Sequence, residues 1–183
     1  AAAKNNGDLV KPPALKSGDT VALSAPAGIV YDEQEFVRMR EVLESIGFRV
    51  VFGEFIRERH GYLAGTDRQR AGDLNRFFAD PDVSGIVAVR GGWGSARILP
   101  LLDFDMIKAN PKIYCGFSDN TTIHLALMRY SNLVSFHGPN GTSEWTELTI
   151  QNFKSVLMNG DLATYSSNSN VSTLVQGIAE GRL

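Results

Sequence analysis

A chain of 183 residues, 43% hydrophobic and 21% charged, has room for one full α/β domain and the beginning of a second. Its formal net charge of -2 excludes the basic excess expected of a nucleic-acid-binding surface, and no apolar run approaches the roughly 20 residues that span a bilayer. The single cysteine, Cys115, excludes an internal disulfide and a cysteine zinc cluster. It falls in an apolar run, where a small core residue is the natural reading.

In chain order, Thr20 to Ala25 reads as a strand that Pro26-Ala27-Gly28 breaks into a loop. Asp32 precedes an amphipathic pattern in which Phe36, Val37, Met39, Val42, Leu43 and Ile46 recur at helical spacing, and Gly47 stops it. Arg49 to Phe52 forms a second strand. A loop containing His60 leads to Thr66, a capping residue for a helix that carries Ala71, Leu74, Phe77 and Phe78 inward. Ile86 to Val89 is a third strand, followed by the glycine-rich Arg90-Gly91-Gly92-Trp93-Gly94-Ser95 and a short helix around Ile98 to Leu102. Asp103 and Asp105 read as capping charges at a helical start. Lys112 to Cys115 runs into the turn Gly116-Phe117-Ser118-Asp119, Thr121 to Tyr130 is the next helix, and Leu133 to Phe136 a fifth strand before His137-Gly138-Pro139-Asn140-Gly141. A last helical pattern covers Glu147 to Met158.

Strands alternating with helices at this spacing predict a parallel sheet with helices on both faces, Rossmann- or flavodoxin-like. Ligands of such sheets bind beyond the carboxyl ends of the strands, so the loops at Pro26, Arg90 to Ser95, Gly116 to Asp119 and His137 to Gly141 converge on one rim. The expected organisation is a domain over 1–160, a Ser- and Asn-rich linker over 161–173, and at 174–183 the truncated start of a carboxyl-terminal domain.

A serine at a sharp strand-to-helix turn projects its hydroxyl from the sheet edge, beside helical N–H groups free to bind an anion. Ser118 has that position, although the G-x-S-x-G elbow would require glycine where Asn120 stands. Read alone, the turn is a helix N-cap, because Ser, Asp and Asn all favour that position. The amide of Asp119 and the Gly91-Gly92 segment are candidate oxyanion donors. Phosphate binding is the weaker use, because the loop lacks both the Lys-Ser/Thr ending of a P-loop and the G-x-G-x-x-G spacing. Of the three histidines, His124 lies six residues along the helix from Ser118 and cannot reach back, His60 is a surface residue, and His137 is the one placed to act as a base or to touch substrate. Trp93 is a candidate to cover a bound ligand. No metal-ligand spacing is present.

Taken together, Ser24-Ala25-Pro26-Ala27-Gly28, Ala64-Gly65-Thr66-Asp67-Arg68-Gln69-Arg70, Arg90 to Ser95 with Leu101-Leu102-Asp103, Gly116 to Thr121 and His137-Gly138-Pro139 resemble the LD-carboxypeptidases, or muramoyl-tetrapeptide carboxypeptidases, and the related microcin C self-immunity peptidases. The resemblance implies a serine peptidase without metal or other cofactor that releases a terminal D-amino acid from an L,D-bond in murein peptides during peptidoglycan recycling. It implies Ser118 as nucleophile and the amides of Gly92 and Asp119 as the oxyanion hole. It also places the Glu and His of the triad in a carboxyl-terminal domain beyond this chain, so that the chain alone is nearly inactive and its missing partner is that domain. A homodimer is implied for the complete protein, with no nucleic-acid or membrane partner. The expected compartment is the cytoplasm, or the periplasm if Ala1-Ala2-Ala3 is the remnant of a processed signal. Three alternatives stay open: a microcin-type peptidase acting on a nucleotide-linked peptide, a noncatalytic anion- or peptide-binding module, and a stand-alone domain with His137 as base.

Overall fold

Side-chain caps punctuate the chain where helices begin. Asp32 accepts from the Gln34 amide ahead of α1 (Glu33–Ile46), and Gly47 ends that helix in the left-handed conformation at φ 114°. Thr66 opens α2 (Asp67–Ala79) with a capping box completed by Gln69. The computed structural model describes residues 8–161 together with Ser172, Val175, Gly177 and Ile178. Except for Asp161 and those isolated positions, the expected linker and the segment opened by Leu174 lie outside the described residues.

Between the helices run β1 (Thr20–Ser24), β2 (Arg49–Phe52), β3 (Val83–Ala88), β4 (Ile113–Gly116) and β5 (Phe136–His137). All pairings are parallel, and the order is β2-β1-β3-β4-β5. This is the flavodoxin-like order, in which the topological switch lies between β1 and β3.

Alternation along the strands sorts the core into two layers. Val21, Leu23, Val87, Val89, Ile113 and Cys115 pack with Phe36, Met39, Leu43 and Ile46 of α1 and with Phe153 of α6 (Glu147–Lys154). Ala22, Ile86, Ala88 and Tyr114 face the opposite layer. There they meet Leu74, Phe77 and Phe78 of α2, Ile98 of α3 (Ser95–Ile98), Ile107 of α4 (Phe104–Ala109) and Ile123 and Leu127 of α5 (Thr121–Ser131). Helices therefore cover both faces, and the buried strands read as continuous apolar runs for that reason.

Three expectations are corrected. The fifth strand is not Leu133 to Phe136 but the two residues Phe136–His137, paired to Cys115 and Gly116. Backbone competition explains the shift: the Val10 amide donates to Asn132 O at 2.8 Å, and the Val134 amide donates to Val10 O at 2.9 Å, so this stretch bonds the amino-terminal segment instead of β4. The last helical pattern also changes character, with α6 ending at Lys154 and a π-helical turn covering Ser155–Asn159. Val37, expected on the inner stripe of α1, faces solvent. Asp103 does cap a helix, since its carboxylate accepts from the Met106 amide at 2.9 Å ahead of α4. Among the described residues no helix is long and apolar enough to cross a membrane.

Candidate active site

Ser118 stands between β4 and α5, in a short 3-10 turn that runs from Ser118 to Asn120. Its φ of +66° is left-handed, a conformation that costs a non-glycine residue about 1–3 kcal/mol and persists only where the surroundings over-determine it. The residue is exposed at the carboxyl-end rim. Its side chain faces the glycine loop: a Cβ built on Gly91 would lie 2.9 Å from Ser118 Cβ, 3.0 Å from its Oγ and 3.3 Å from the Asp119 amide nitrogen. Only glycine fits at position 91 with the serine so placed. Gly92, at φ +135°, turns the loop back against the β1 loop, where a Cβ would come within 3.1 Å of the Gly28 nitrogen. The Gly28 amide in turn donates to Gly91 O at 3.1 Å. The loops after β1, β3 and β4 thus meet at one point.

The LD-carboxypeptidase N-terminal domain model matches residues 21–138 of this sequence. The chain belongs to the LD-carboxypeptidase family. A Bacillus subtilis protein named "Probable murein peptide carboxypeptidase" is 36% identical over 178 residues, covering 94% of this chain and 56% of that protein. The murein tetrapeptide carboxypeptidase of Pseudomonas aeruginosa is 37% identical over 123 residues, 67% of this chain and 39% of that one. Among solved structures, MccF in complex with glutamyl sulfamoyl guanosine superposes with a TM-score of 0.76 at 30% identity, over 80% of this chain and 46% of the other. The chain spans about half the length of the relatives it matches.

Within this LD-carboxypeptidase domain, side chains invisible to local pattern hold the rim together. The Asp119 carboxylate accepts from the amides of Gly94 at 3.0 Å and Ser95 at 2.8 Å, clamping the glycine loop at the start of α3 to the serine turn. Arg70, 1% exposed, donates through one nitrogen to Pro26 O and to Gly94 O, the latter at 3.0 Å, and through the other to Asp67. Burial lowers the Arg70 pKa, and the neighbouring Asp67 opposes that shift. Arg97 also bonds Asp67, at 2.9 Å, and is the main reason that carboxyl lies below its ordinary value. Arg90 reaches the β1 loop, donating to Ile29 O at 2.9 Å.

The histidines divide as follows. His60 is exposed in its loop. His124 does not reach Ser118, but its Nε2 lies 2.8 Å from Gly116 O and its Nδ1 2.8 Å from Ser135 Oγ. A carbonyl can only accept, so Nε2 carries the proton and Nδ1 of the neutral ring accepts from the serine. Burial, the largest influence, pushes the His124 pKa below 6.5. His137 packs its ring 6.1 Å from that of Phe117 and 6.2 Å from that of His124, and among the described residues no hydrogen bond joins it to Ser118. Trp93 is 81% exposed beside Gly92, and Tyr31, Tyr62 and Phe117 are exposed on neighbouring rim loops. Cys115, three residues before Ser118, is buried with its thiol pushed up to about 12, so it is no competing nucleophile.

Proposed function

We propose that Ser118 is the nucleophile of a metal-independent serine carboxypeptidase that cleaves the L,D-peptide bond of murein peptides. The observation that carries this reading is the left-handed serine at the β4–α5 turn with its Oγ raised against Gly91. In the proposed reaction Oγ attacks the scissile carbonyl carbon, its proton passes to a base, and the carbonyl oxygen becomes an oxyanion. The amides of Gly92 and Asp119 hold that charge, helped by the N-terminal end of the helix that follows. Collapse expels the terminal D-amino acid, which takes up the proton, and water then releases the acyl group from Ser118. The base and its carboxylate partner are assigned to the part of the relatives' length that this chain does not span, and domain 1–160 is the nucleophile half. Trp93 and His137 are assigned to substrate contacts.

Ser118→Ala in the complete protein should lower turnover of an L,D-linked tetrapeptide by roughly four orders of magnitude or more while leaving peptide affinity unchanged. Turnover within a few-fold of the parent would move the nucleophile elsewhere. A second reading is favoured by the likeness to MccF, whose solved complex holds glutamyl sulfamoyl guanosine. Preference for a peptidyl nucleotide over the murein tetrapeptide in direct competition would select it.

A further inference from the structure

Phe117, the residue that precedes Ser118, is held at both of its backbone polar groups by two buried amides. Phe117 N–H donates to Asn140 Oδ1 at 3.1 Å, and Phe117 C=O accepts from Asn120 Nδ2 at 3.1 Å. The amides are bonded to each other, Asn120 Nδ2 to Asn140 Oδ1 at 3.1 Å, and Asn120 Nδ2 also reaches Arg90 O at 3.3 Å on the glycine loop. On its far side Asn120 Oδ1 accepts from the Tyr114 hydroxyl at 3.2 Å, and the Asn140 backbone amide is fixed by Ser143 Oγ at 3.0 Å. Asn120 is fully buried and Asn140 is 3% exposed, so water cannot replace either partner cheaply. The seat is also tight, because a Cβ at Gly116 would lie 2.9 Å from Ala88 Cβ and 3.0 Å from Asn140 Oδ1.

We propose that Asn140 and Asn120 are positioning residues that lock the backbone of Phe117 on both sides, and through it the left-handed Ser118, against the glycine loop. The inference rests on the reading of Ser118 as nucleophile for its kinetic consequence, but its structural consequence stands apart from that reading. A non-glycine residue in this conformation relaxes unless its neighbours forbid it. Here Asn140 brings part of the restraint from the loop after β5, across the strand pair, so the nucleophile is set in part by a different strand end from the one that carries it. The occupant of position 120 also explains why the turn departs from the G-x-S-x-G form: the side chain there is used as a three-way donor.

The two asparagines use opposite ends of the same group, which makes one chemical change a discriminating test. Asn140 acts through its oxygen, so Asn140→Asp in the complete protein keeps both acceptor bonds and should retain kcat within about tenfold. Asn120 acts through its NH₂, whose two hydrogens are shared among three acceptors, so Asn120→Asp loses all of those contacts and turns a carboxylate oxygen toward the carbonyl oxygens of Phe117, Arg90 and the Asn140 side chain. It should lower kcat about 100-fold, the cost of a misplaced reacting group, with KM little changed. Asn140→Leu, which removes the acceptor, should behave like Asn120→Asp, and crystal structures of the folded variants should show Ser118 out of the left-handed region. Equal kcat losses in the two Asp variants, or a Ser118 still near φ +66° in Asn140→Leu, would overturn the inference. The backbone readout applies even if Ser118→Ala proves active, so failure of the nucleophile assignment and failure of the lock are told apart.

Discussion

Two buried cations lie at opposite ends of α2 and solve the same problem for different purposes. Lys112, at the entrance to β4 and 7% exposed, donates its ammonium to Phe77 O at 3.1 Å and to Asp80 O, carbonyls at the carboxyl end of the helix. Arg70, in the first turn, donates to Pro26 O and Gly94 O, carbonyls of the loops after β1 and β3. Burial lowers the pKa of both groups. Each cation donates to backbone oxygens that lie outside the sheet ladder. Lys112 thereby closes a helix end far from the rim, whereas Arg70 sets the spacing of the loops that face Ser118. The lesson is that a buried charge is assigned a role by whose carbonyls it holds.

The contrast breaks most severely at Arg70. Arg70→Leu should destabilise the complete protein by about 3 kcal/mol in urea unfolding, because the Pro26 and Gly94 carbonyls lose their shared donor and Asp67 is left with Arg97 alone. Activity of the still-folded fraction should fall with it. Arg70→Lys should rescue only part of that loss, since a point charge cannot replace the planar fork that spans both loops and Asp67. Lys112→Met should cost less, about 1–2 kcal/mol, and leave kcat unchanged. If Lys112→Met impaired turnover as much as Arg70→Leu, the division between fold and rim would be wrong.

The smallest effect sharpens the picture by pH. Burial holds the His124 pKa below its ordinary 6.5, so as pH falls the unfolded chain takes up this proton first. Stability should therefore rise with pH from the folded value up to 6.5 and be flat above it for this group. His124→Gln should remove that slope. An unchanged slope in the variant would assign the dependence to another group.

Much of this architecture was legible because it is local. Asp32, Gly47 and Thr66 carry their capping chemistry in their own side chains or absence of one, and Arg49–Phe52 is bounded by the strand signals that predict it. The convergence of loops at the rim followed from alternation of strands and helices alone. The fifth strand was misplaced because its partner choice depends on Val10, more than 120 residues away, and no periodicity records that competition. The same reason hid the polar scaffold of the site. Arg70 reads as an ordinary first-turn charge and Asn140 as a turn residue, until the fold brings Gly94 to one and Phe117 to the other. Asn120 did leave a signal, since it stands where the elbow motif calls for glycine.

The central proposal is that Ser118, held facing the glycine loop, is the nucleophile. Treating the complete protein with a serine-directed phosphonate and locating the adduct by mass spectrometry tests it most directly. The account predicts stoichiometric labelling at Ser118 with parallel loss of peptide hydrolysis; hydrolysis lost with the adduct on another residue, or retained with Ser118 fully labelled, would contradict it.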